Sequence, residues 1–94
     1  MYAVLANIKV KPEFGAEEPK VIQQFVALHK AQKGFKSQTF LMKEESTERV
    51  VLSLWETKED VDAELAVCLP ELKKASSMFV SEPTLQVYKV DYKD

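Results

Sequence analysis

His29 and Asn7 are the side chains of this sequence that could take part most directly in acid–base chemistry. His29 is the only histidine of the chain, and imidazole titrates near neutrality, so it is the default general base. Asn7 interrupts an otherwise apolar strand, where its amide could stabilise a carbonyl or phenolate oxygen. We therefore consider both as catalytic candidates. The structural alternatives are an inert histidine at a helix edge and an amide satisfied by backbone or water.

Three further residues are candidates for substrate binding. Trp55 offers a large flat surface with one N–H donor, and Tyr88 could bind a phenol or carry a proton, as could Tyr92 four residues later. Ser53 is small and polar, so it could leave room for a ligand. The alternatives are core or interface packing for the aromatic residues and relief of crowding for the serine.

The cysteine, histidine and glycine content argues against a cofactor. Cys68 lies on an apolar helical stripe with no base near it in the sequence, which is typical of a buried hydrophobic residue. One cysteine and one histidine leave no metal cluster to propose. Two glycines do not suffice for a phosphate-binding loop. The sequence therefore predicts no metal and no cofactor.

Length and charge set broader limits. The 94 residues are 46% hydrophobic and 30% charged, which predicts one globular domain over residues 1–94. The net charge of −2, with both signs mixed along the chain, argues against nucleic acid or an anionic membrane as partner. The sequence has no signal-peptide pattern and no apolar run near the roughly 20 residues of a membrane span. A cytoplasmic location is the expectation.

The segment Arg49–Asp60, RVVLSLWETKED, predicts the central strand and the start of a helix. Both faces of its strand are mostly apolar, which indicates a sheet covered on both sides. Thr57 then offers a hydroxyl as helix N-cap, with Asp60 three residues later.

The other elements can be placed around this strand. Pro70 should kink or break the second helix, because proline lacks the N–H and clashes with the preceding turn. Gly34 is a left-handed position that stops the first helix. The expected elements are strands Tyr2–Val10, Phe35–Glu44, Arg49–Glu56 and Thr84–Tyr92, a helix from about Pro19 to Lys33, a helix from Lys58, and a short helical piece from Glu71 to about Phe79.

The order β-α-β-β-α-β predicts an α+β, ferredoxin-like fold. Right-handed crossovers put both helices on one face of a four-stranded antiparallel sheet. The first and third strands are apolar on both faces, so a second copy of the chain should cover the open one. Either Val4 and Ile8 or Leu52 and Leu54 would lie at the centre of this homodimer interface.

The stretch GFKSQTFLMKEESTERVVLSLWETKEDVDA resembles the core of the antibiotic biosynthesis monooxygenase family. The resemblance is carried by Gly34-Phe35 at the start of the second strand, the polar turn Glu44–Glu48, and Trp55-Glu56-Thr57 before the second helix. It implies a dimeric α/β barrel whose two sheets face each other. It also implies oxygenation of phenols or quinols without metal or flavin, or degradation of heme.

Heme is not the expected ligand. Heme-degrading members of the family pair an Asn on the first strand with a Trp and a His on the second helix. Asn7 matches the first position, but the second helix has no Trp, and Lys73 and Lys74 lie near the expected position of the His. A heme-handling protein would need His29 or a tyrosine as its ligand.

The leading hypothesis is a small cofactor-independent monooxygenase that acts on a phenol or quinol between sheet and helices. An ionised phenol can itself give an electron to O₂, so the protein needs only to bind, deprotonate and shield it. In this hypothesis Asn7 and His29 reach one cavity. The alternative is a non-catalytic dimeric α/β-barrel module that binds a small hydrophobic molecule.

Overall fold

Four antiparallel strands and two helices make up the fold in the order that the sequence predicts. The computed structural model describes residues 1–93. The strands pair in the order β2-β3-β1-β4, so β1 and β3 are central and β2 and β4 are edges. The α+β, ferredoxin-like fold is thereby confirmed. The elements are β1 (Tyr2–Lys9), α1 (Glu18–Lys30), β2 (Phe35–Met42), β3 (Glu48–Trp55), α2 (Lys58–Lys74) and β4 (Thr84–Lys89), with short 3-10 turns at Pro12–Phe14 and Ser76–Met78.

The alternation of side chains along β1 and β3 divides the sheet into two apolar faces. On the helix-covered face, Val4 lies opposite Ser53, and Val4 packs with Trp55 and Val61 in the hydrophobic core. On the other face, which we call the open sheet face, Leu5 lies opposite Leu52. The strand register places further residues on the open sheet face, among them Ala3, Asn7, Val50, Leu54, Thr39, Leu41, Gln86 and Tyr88.

Helix α2 begins as the sequence predicts. Thr57 is the N-cap residue, and its hydroxyl accepts a hydrogen bond of 3.1 Å from the backbone N–H of Asp60. Glu59 and Asp60 place negative charge in the first turn, at the positive end of the helix dipole. This cap fixes the direction in which α2 leaves β3 and crosses the sheet.

The predicted break at Pro70 is wrong, because α2 continues through this residue to Lys74. Pro70 cannot donate to the carbonyl of Ala66, but both residues are exposed, so water can satisfy that carbonyl. Cys68, on the opposite side of the helix, is buried. The predicted short helical piece from Glu71 is therefore the end of α2 followed by a 3-10 turn.

Other element ends also differ from the expectation by a few residues. Helix α1 ends at Lys30 and not at Lys33, while β2 ends at Met42 and β4 at Lys89. Among the described residues, no helix combines the length and the apolar character that crossing a membrane requires.

Gly34 has the left-handed backbone that the sequence predicts, with a φ of 82°. Its carbonyl accepts a hydrogen bond of 2.9 Å from the N–H of Glu56, which ties the start of β2 to the end of β3. A Cβ atom at this position would overlap the carboxylate of Asp60 at the start of α2. Gly34 therefore permits both the backbone turn and the close approach of α2.

Replacement of Gly34 by alanine should destabilise the fold. Left-handed backbone costs a non-glycine residue about 1–2 kcal/mol, and the displacement of Asp60 adds to that cost. Gly15→Ala is the matched control, because Gly15 has a φ of −56° and its Cβ would meet only Pro12 O at 3.4 Å. Urea unfolding should show a lower midpoint for Gly34→Ala and an almost unchanged one for Gly15→Ala. Equal midpoints would contradict this account of Gly34.

Candidate functional site

A cavity of about 200 Å³ lies between the helix-covered face of the sheet and the two helices. Its walls are mostly apolar and include Val4, Ala6, Phe25, Phe40, Leu65 and Leu72. His29, Ser53 and Glu64 form a polar corner in this wall. A second polar pair lines the cavity where Arg49 Nε donates to Glu18 Oε1 at 3.1 Å. The cavity therefore suits an apolar ligand with few polar groups.

A chain of hydrogen bonds holds His29 in the polar corner. Gln38 Nε2 donates to the carbonyl of Val26 at 3.3 Å, so the Gln38 amide oxygen faces His29. That oxygen lies 2.8 Å from His29 Nδ1 and accepts a hydrogen bond from it. The other ring nitrogen, Nε2, lies 2.9 Å from Glu64 Oε1. Both ring nitrogens are thus engaged, and His29 and Glu64 share one proton between them.

The two members of the pair come from different helices. His29 lies in the last turn of α1, where the helix dipole favours positive charge. Glu64 lies on α2 with Cys68 one turn further along the same face. The exposed fractions are 7% for His29 and 3% for Glu64. The pair therefore joins α1 to α2 in a nearly dry environment.

Burial and pairing shift the pKa of His29 in opposite directions. Burial by itself would lower the pKa of His29, but the hydrogen bonds to Glu64 and Gln38 and the negative charge of Glu64 outweigh it. The pKa of His29 is consequently raised above its ordinary value. Burial also raises the pKa of the Cys68 thiol, and the neighbouring Glu64 carboxylate raises it further. Without a metal, Cys68 is therefore a thiol at neutral pH.

The second carboxylate oxygen of Glu64 is unusual. Within residues 1–93, it is the one buried side-chain oxygen or nitrogen atom that has no hydrogen-bond partner. A buried acceptor without a partner costs about 1–3 kcal/mol and calls for an explanation. A ligand with a hydroxyl group, or a cation, would satisfy this oxygen.

Two aromatic rings pack against the His29 ring. The ring of Trp55 meets the His29 ring edge-on, with centroids 5.9 Å apart, and the Phe25 ring lies 6.3 Å from it. Trp55 is fully buried, and its N–H donates to Ser53 Oγ at 2.8 Å. These contacts fix the plane of the imidazole.

The five residues predicted as site residues do not all meet. His29 and Ser53 line the cavity, and Trp55 lies behind them. Asn7 is exposed on the open sheet face. Tyr88 shares that face, where its hydroxyl donates to Gln86 at 2.6 Å.

The expectation that Asn7 and His29 reach one cavity is therefore wrong. Side chains alternate along a strand, and it is Val4, Ala6 and Ile8 of β1 that line the cavity. Asn7 has the opposite parity and points away from the helices.

Sequence reasoning missed Glu64 and Gln38. The signal for Glu64 was present, because it lies three residues after Val61 and four before Cys68, on the apolar stripe of α2. A charged residue on a buried stripe needs a partner from another element. Gln38 gave no comparable signal, because a polar residue on an edge strand is ordinary.

Comparisons with known proteins agree with this architecture. A model of the family described as antibiotic biosynthesis monooxygenase matches residues 1–66. No curated protein matches the chain.

Solved structures resemble the whole chain. Rv0793 from Mycobacterium tuberculosis superposes with a TM-score of 0.84 at 13% identity, over 98% of this chain and 96% of that chain. SnoaB, a cofactor-independent oxygenase from Streptomyces nogalater, has a TM-score of 0.80 at 18% identity, over 98% and 94%. A conserved protein from Methanosarcina mazei Go1 has a TM-score of 0.82 at 16% identity, over 94% and 90%. At identities this low, the structural likeness establishes a shared fold alone.

The coupling between His29 and Glu64 should be visible by NMR, because His29 is the only histidine of the chain. In metal-free protein, the imidazole should titrate above the ordinary value of about 6.5. Glu64→Gln should move the midpoint below that of the wild type, because burial stays while the carboxylate charge is removed. Glu71→Gln, on the same helix, should leave it unchanged. The same midpoint in Glu64→Gln and the wild type would contradict the pairing.

The raised pKa also gives a pH dependence of stability. A group whose pKa is higher in the folded state stabilises that state. The full contribution is present at pH values below the pKa of the group in the unfolded state, which is about 6.5 for histidine. This contribution is lost as the pH rises through the folded pKa. Urea unfolding between pH 6 and pH 9 should therefore show a loss of stability in the wild type that is smaller in His29→Gln. A parallel pH profile in His29→Gln would rule out this contribution.

Proposed function

The chain belongs to the antibiotic biosynthesis monooxygenase family, as its sequence motifs indicated, and we propose that it is a cofactor-independent monooxygenase acting on a small electron-rich phenol. The reaction takes place in the cavity between sheet and helices. The observation that carries the proposal is the Glu64 carboxylate, which lines an apolar cavity, pairs with His29 and keeps one oxygen without a partner. This oxygen is a proton acceptor in a site that otherwise favours an aromatic ring.

The size of the cavity supports a ligand of one or two rings. An engineered apolar cavity of about 150 Å³ binds benzene, and the volume here is about 200 Å³. The apolar walls favour the ring, while one hydroxyl can donate to Glu64 Oε2. Rotation of the carboxylate about its last torsion, which is broad and shallow, turns this oxygen towards the cavity.

Proton transfer from the phenol to Glu64 gives a phenolate in the cavity. The negative charge then moves from Glu64 to the phenolate, while the imidazolium of His29 stays beside both groups and keeps the site neutral. His29 is in this proposal a positioning residue, because its two ring nitrogens already bind Gln38 and Glu64. Exclusion of water strengthens each of these electrostatic interactions.

The phenolate supplies the electrons for oxygenation. One electron passes to O₂, and the resulting superoxide and phenoxyl radical combine to form a C–O bond at a ring carbon. Protonated Glu64 returns its proton to the peroxide. Glu64 then removes the proton from the same ring carbon, the O–O bond breaks, a carbonyl forms, and the hydroxide that leaves takes up the proton. The sum is phenol plus O₂ to quinone plus water.

A non-catalytic module that binds a small hydrophobic molecule is the second candidate. It is favoured by the engagement of both His29 nitrogens, since no free imidazole is then available as a base. It needs the same cavity but no oxygen chemistry. The two candidates therefore differ in one observable, which is the consumption of O₂.

We further propose that the open sheet face is the interface of a homodimer. Leu5, Leu52 and Leu54 are only half-buried at its centre, and Leu41 at its rim is 51% exposed. An apolar sheet face of this kind needs cover, and a second copy with twofold symmetry supplies it. Asn7 and Tyr88 would then serve the interface and not the cavity.

Oxygen uptake with a panel of phenols and dihydroxynaphthalenes tests the enzymatic proposal. Loss of a general base typically lowers the rate by about 10²–10⁴, so Glu64→Gln should abolish most of the uptake. Glu71→Gln and Asn7→Ala are controls outside the cavity and should keep the wild-type rate. Uptake by the wild type no faster than in buffer would favour the binding module. Equal rates in Glu64→Gln and wild type would exclude Glu64 as the base.

Light scattering at micromolar concentration tests the interface. The wild type should have about twice the 10.7 kDa mass of one chain, and Leu52→Glu should give a monomer, because burial of an unpaired carboxylate at the interface is costly. Val67→Glu changes an exposed apolar residue of α2 and should stay dimeric. A monomeric wild type would refute the interface.

A further inference from the structure

Three side chains of different chemistry meet at the polar corner of the cavity. His29, Glu64 and Cys68 each offer one ligand atom, and these atoms lie within 4.8 Å of one another. We propose that this cluster is a binding site for a zinc ion. The proposal goes beyond the oxygenase function and does not depend on it.

The distances suit a small tetrahedral ion. Zinc lies about 2.0–2.3 Å from nitrogen, oxygen and sulfur ligands, so its ligand atoms are about 3.3–3.8 Å apart. The present separations are at most 4.8 Å within the cluster and 2.9 Å between His29 Nε2 and Glu64 Oε1. Side-chain rotations that move the ligand atoms by a few tenths of an ångström to about 1 Å bring the separations to these values. Glu64 and Cys68 need no backbone change, since they are one helical turn apart on one face.

An independent observation points to a cation here. Glu64 is only 3% exposed, and its Oε2 atom has no hydrogen-bond partner among the described residues. A cation would satisfy this oxygen.

The surroundings of His29 are also those of a metal ligand. Its Nδ1 proton is fixed by Gln38, which is itself fixed by Val26, so Nε2 is directed at the cluster. Metal-bound histidines commonly hold their other ring nitrogen in this way.

The exchange of protons for zinc conserves charge in this buried corner. Before binding, the cluster contains the Cys68 thiol and the His29–Glu64 pair with its shared proton, and its total charge is zero. Zinc displaces the thiol proton and the shared proton, which leaves a thiolate, a carboxylate and a neutral imidazole. Two negative charges then balance the divalent ion. A buried site tolerates such an exchange, because no net charge is added.

The donor set selects among metals. A thiolate and an imidazole favour zinc over magnesium or calcium, which prefer oxygen ligands. Three protein ligands leave a fourth position, as in catalytic zinc sites, and all three ligands line the cavity. The expectation of no metal cluster counted cysteine and histidine alone, and a buried glutamate supplies the third ligand.

Zinc in the cluster would occupy the carboxylate that the oxygenase proposal uses as its base. We therefore expect zinc to inhibit oxygen uptake by the protein. Metal binding is measured without turnover, so the metal site and the oxygenase function can each fail without the other.

Titration with Co²⁺, which takes the place of zinc and absorbs light, tests the site. The full chain, freed of metal with a chelator, should bind one Co²⁺ and develop a near-ultraviolet band from thiolate to metal. About two protons should be released per metal ion. Excess Zn²⁺ should remove the band.

Variants identify the ligands. Cys68→Ser keeps the shape of the side chain and should lose the band, while Glu64→Gln and His29→Gln should bind Co²⁺ more weakly. Gln38→Met removes the hydrogen bonds to His29 and to the carbonyl of Val26, leaves the three ligands in place, and should weaken binding by about 10–100-fold. Glu71→Gln should bind as the wild type does, and circular dichroism checks that each variant is folded. No stoichiometric binding by the wild type, or a band that persists in Cys68→Ser, would overturn the proposal.

Discussion

The buried pair of His29 and Glu64 is the constraint that organises the space between the helices and the sheet. Two ionisable groups from different helices meet where water is nearly excluded. Removal of one partner from a buried pair typically costs about 3–5 kcal/mol, because the other is left uncompensated. The pair therefore fixes how α1 and α2 lie over the sheet. Gln38 and Trp55 hold the imidazole in place, and the cavity forms next to it.

This arrangement places a polar corner, built on His29 and Glu64, in the wall of an apolar pocket. Both nitrogens of His29 are engaged, so the atom of this corner that can still accept a hydrogen bond is the second oxygen of Glu64. A phenol hydroxyl and a zinc ion are alternative partners for this unsatisfied oxygen. Family membership favours the phenol, whereas the proximity of Cys68 favours the zinc ion.

Most of the fold could be predicted because its signals are local. Alternating apolar residues define β1 and β3, Thr57 caps α2, and Gly34 marks the turn before β2. Pro70 misled the prediction, since its effect depends on whether the carbonyl of Ala66 can reach water, and that is a property of the folded surface. Exposure of both residues allows α2 to continue.

The candidate site was harder to predict, because it depends on which face of the sheet the helices cover. Both faces of β1 are apolar, so the sequence offered no basis for choosing the side of Asn7. His29 was found from its chemistry alone. Glu64 was overlooked although a charge on the stripe of Val61 and Cys68 has no local explanation. The contact of His29 with Gln38 becomes apparent only when α1 lies over β2.

The family and the solved structures establish the fold, and the chemistry depends on residues that the fold does not dictate. At 13–18% identity the relatives named above share the sheet and helices with this chain. Oxygenation by an ionised phenol requires a dry cavity and one proton acceptor, and a fold of this size can supply both. The acceptor is therefore the residue on which the functional account depends.

The most direct test compares two ligands that differ by one hydroxyl group, 2-naphthol and naphthalene. Their dissociation constants are measured by calorimetry with metal-free wild type and with Glu64→Met, which removes the acceptor and keeps an apolar side chain. A hydrogen bond to a charged group is worth about 1.5–3 kcal/mol, or roughly 10–150-fold in affinity. The account predicts that the wild type prefers 2-naphthol by this factor and that Glu64→Met loses the preference. The same preference in both proteins would contradict the role of Glu64.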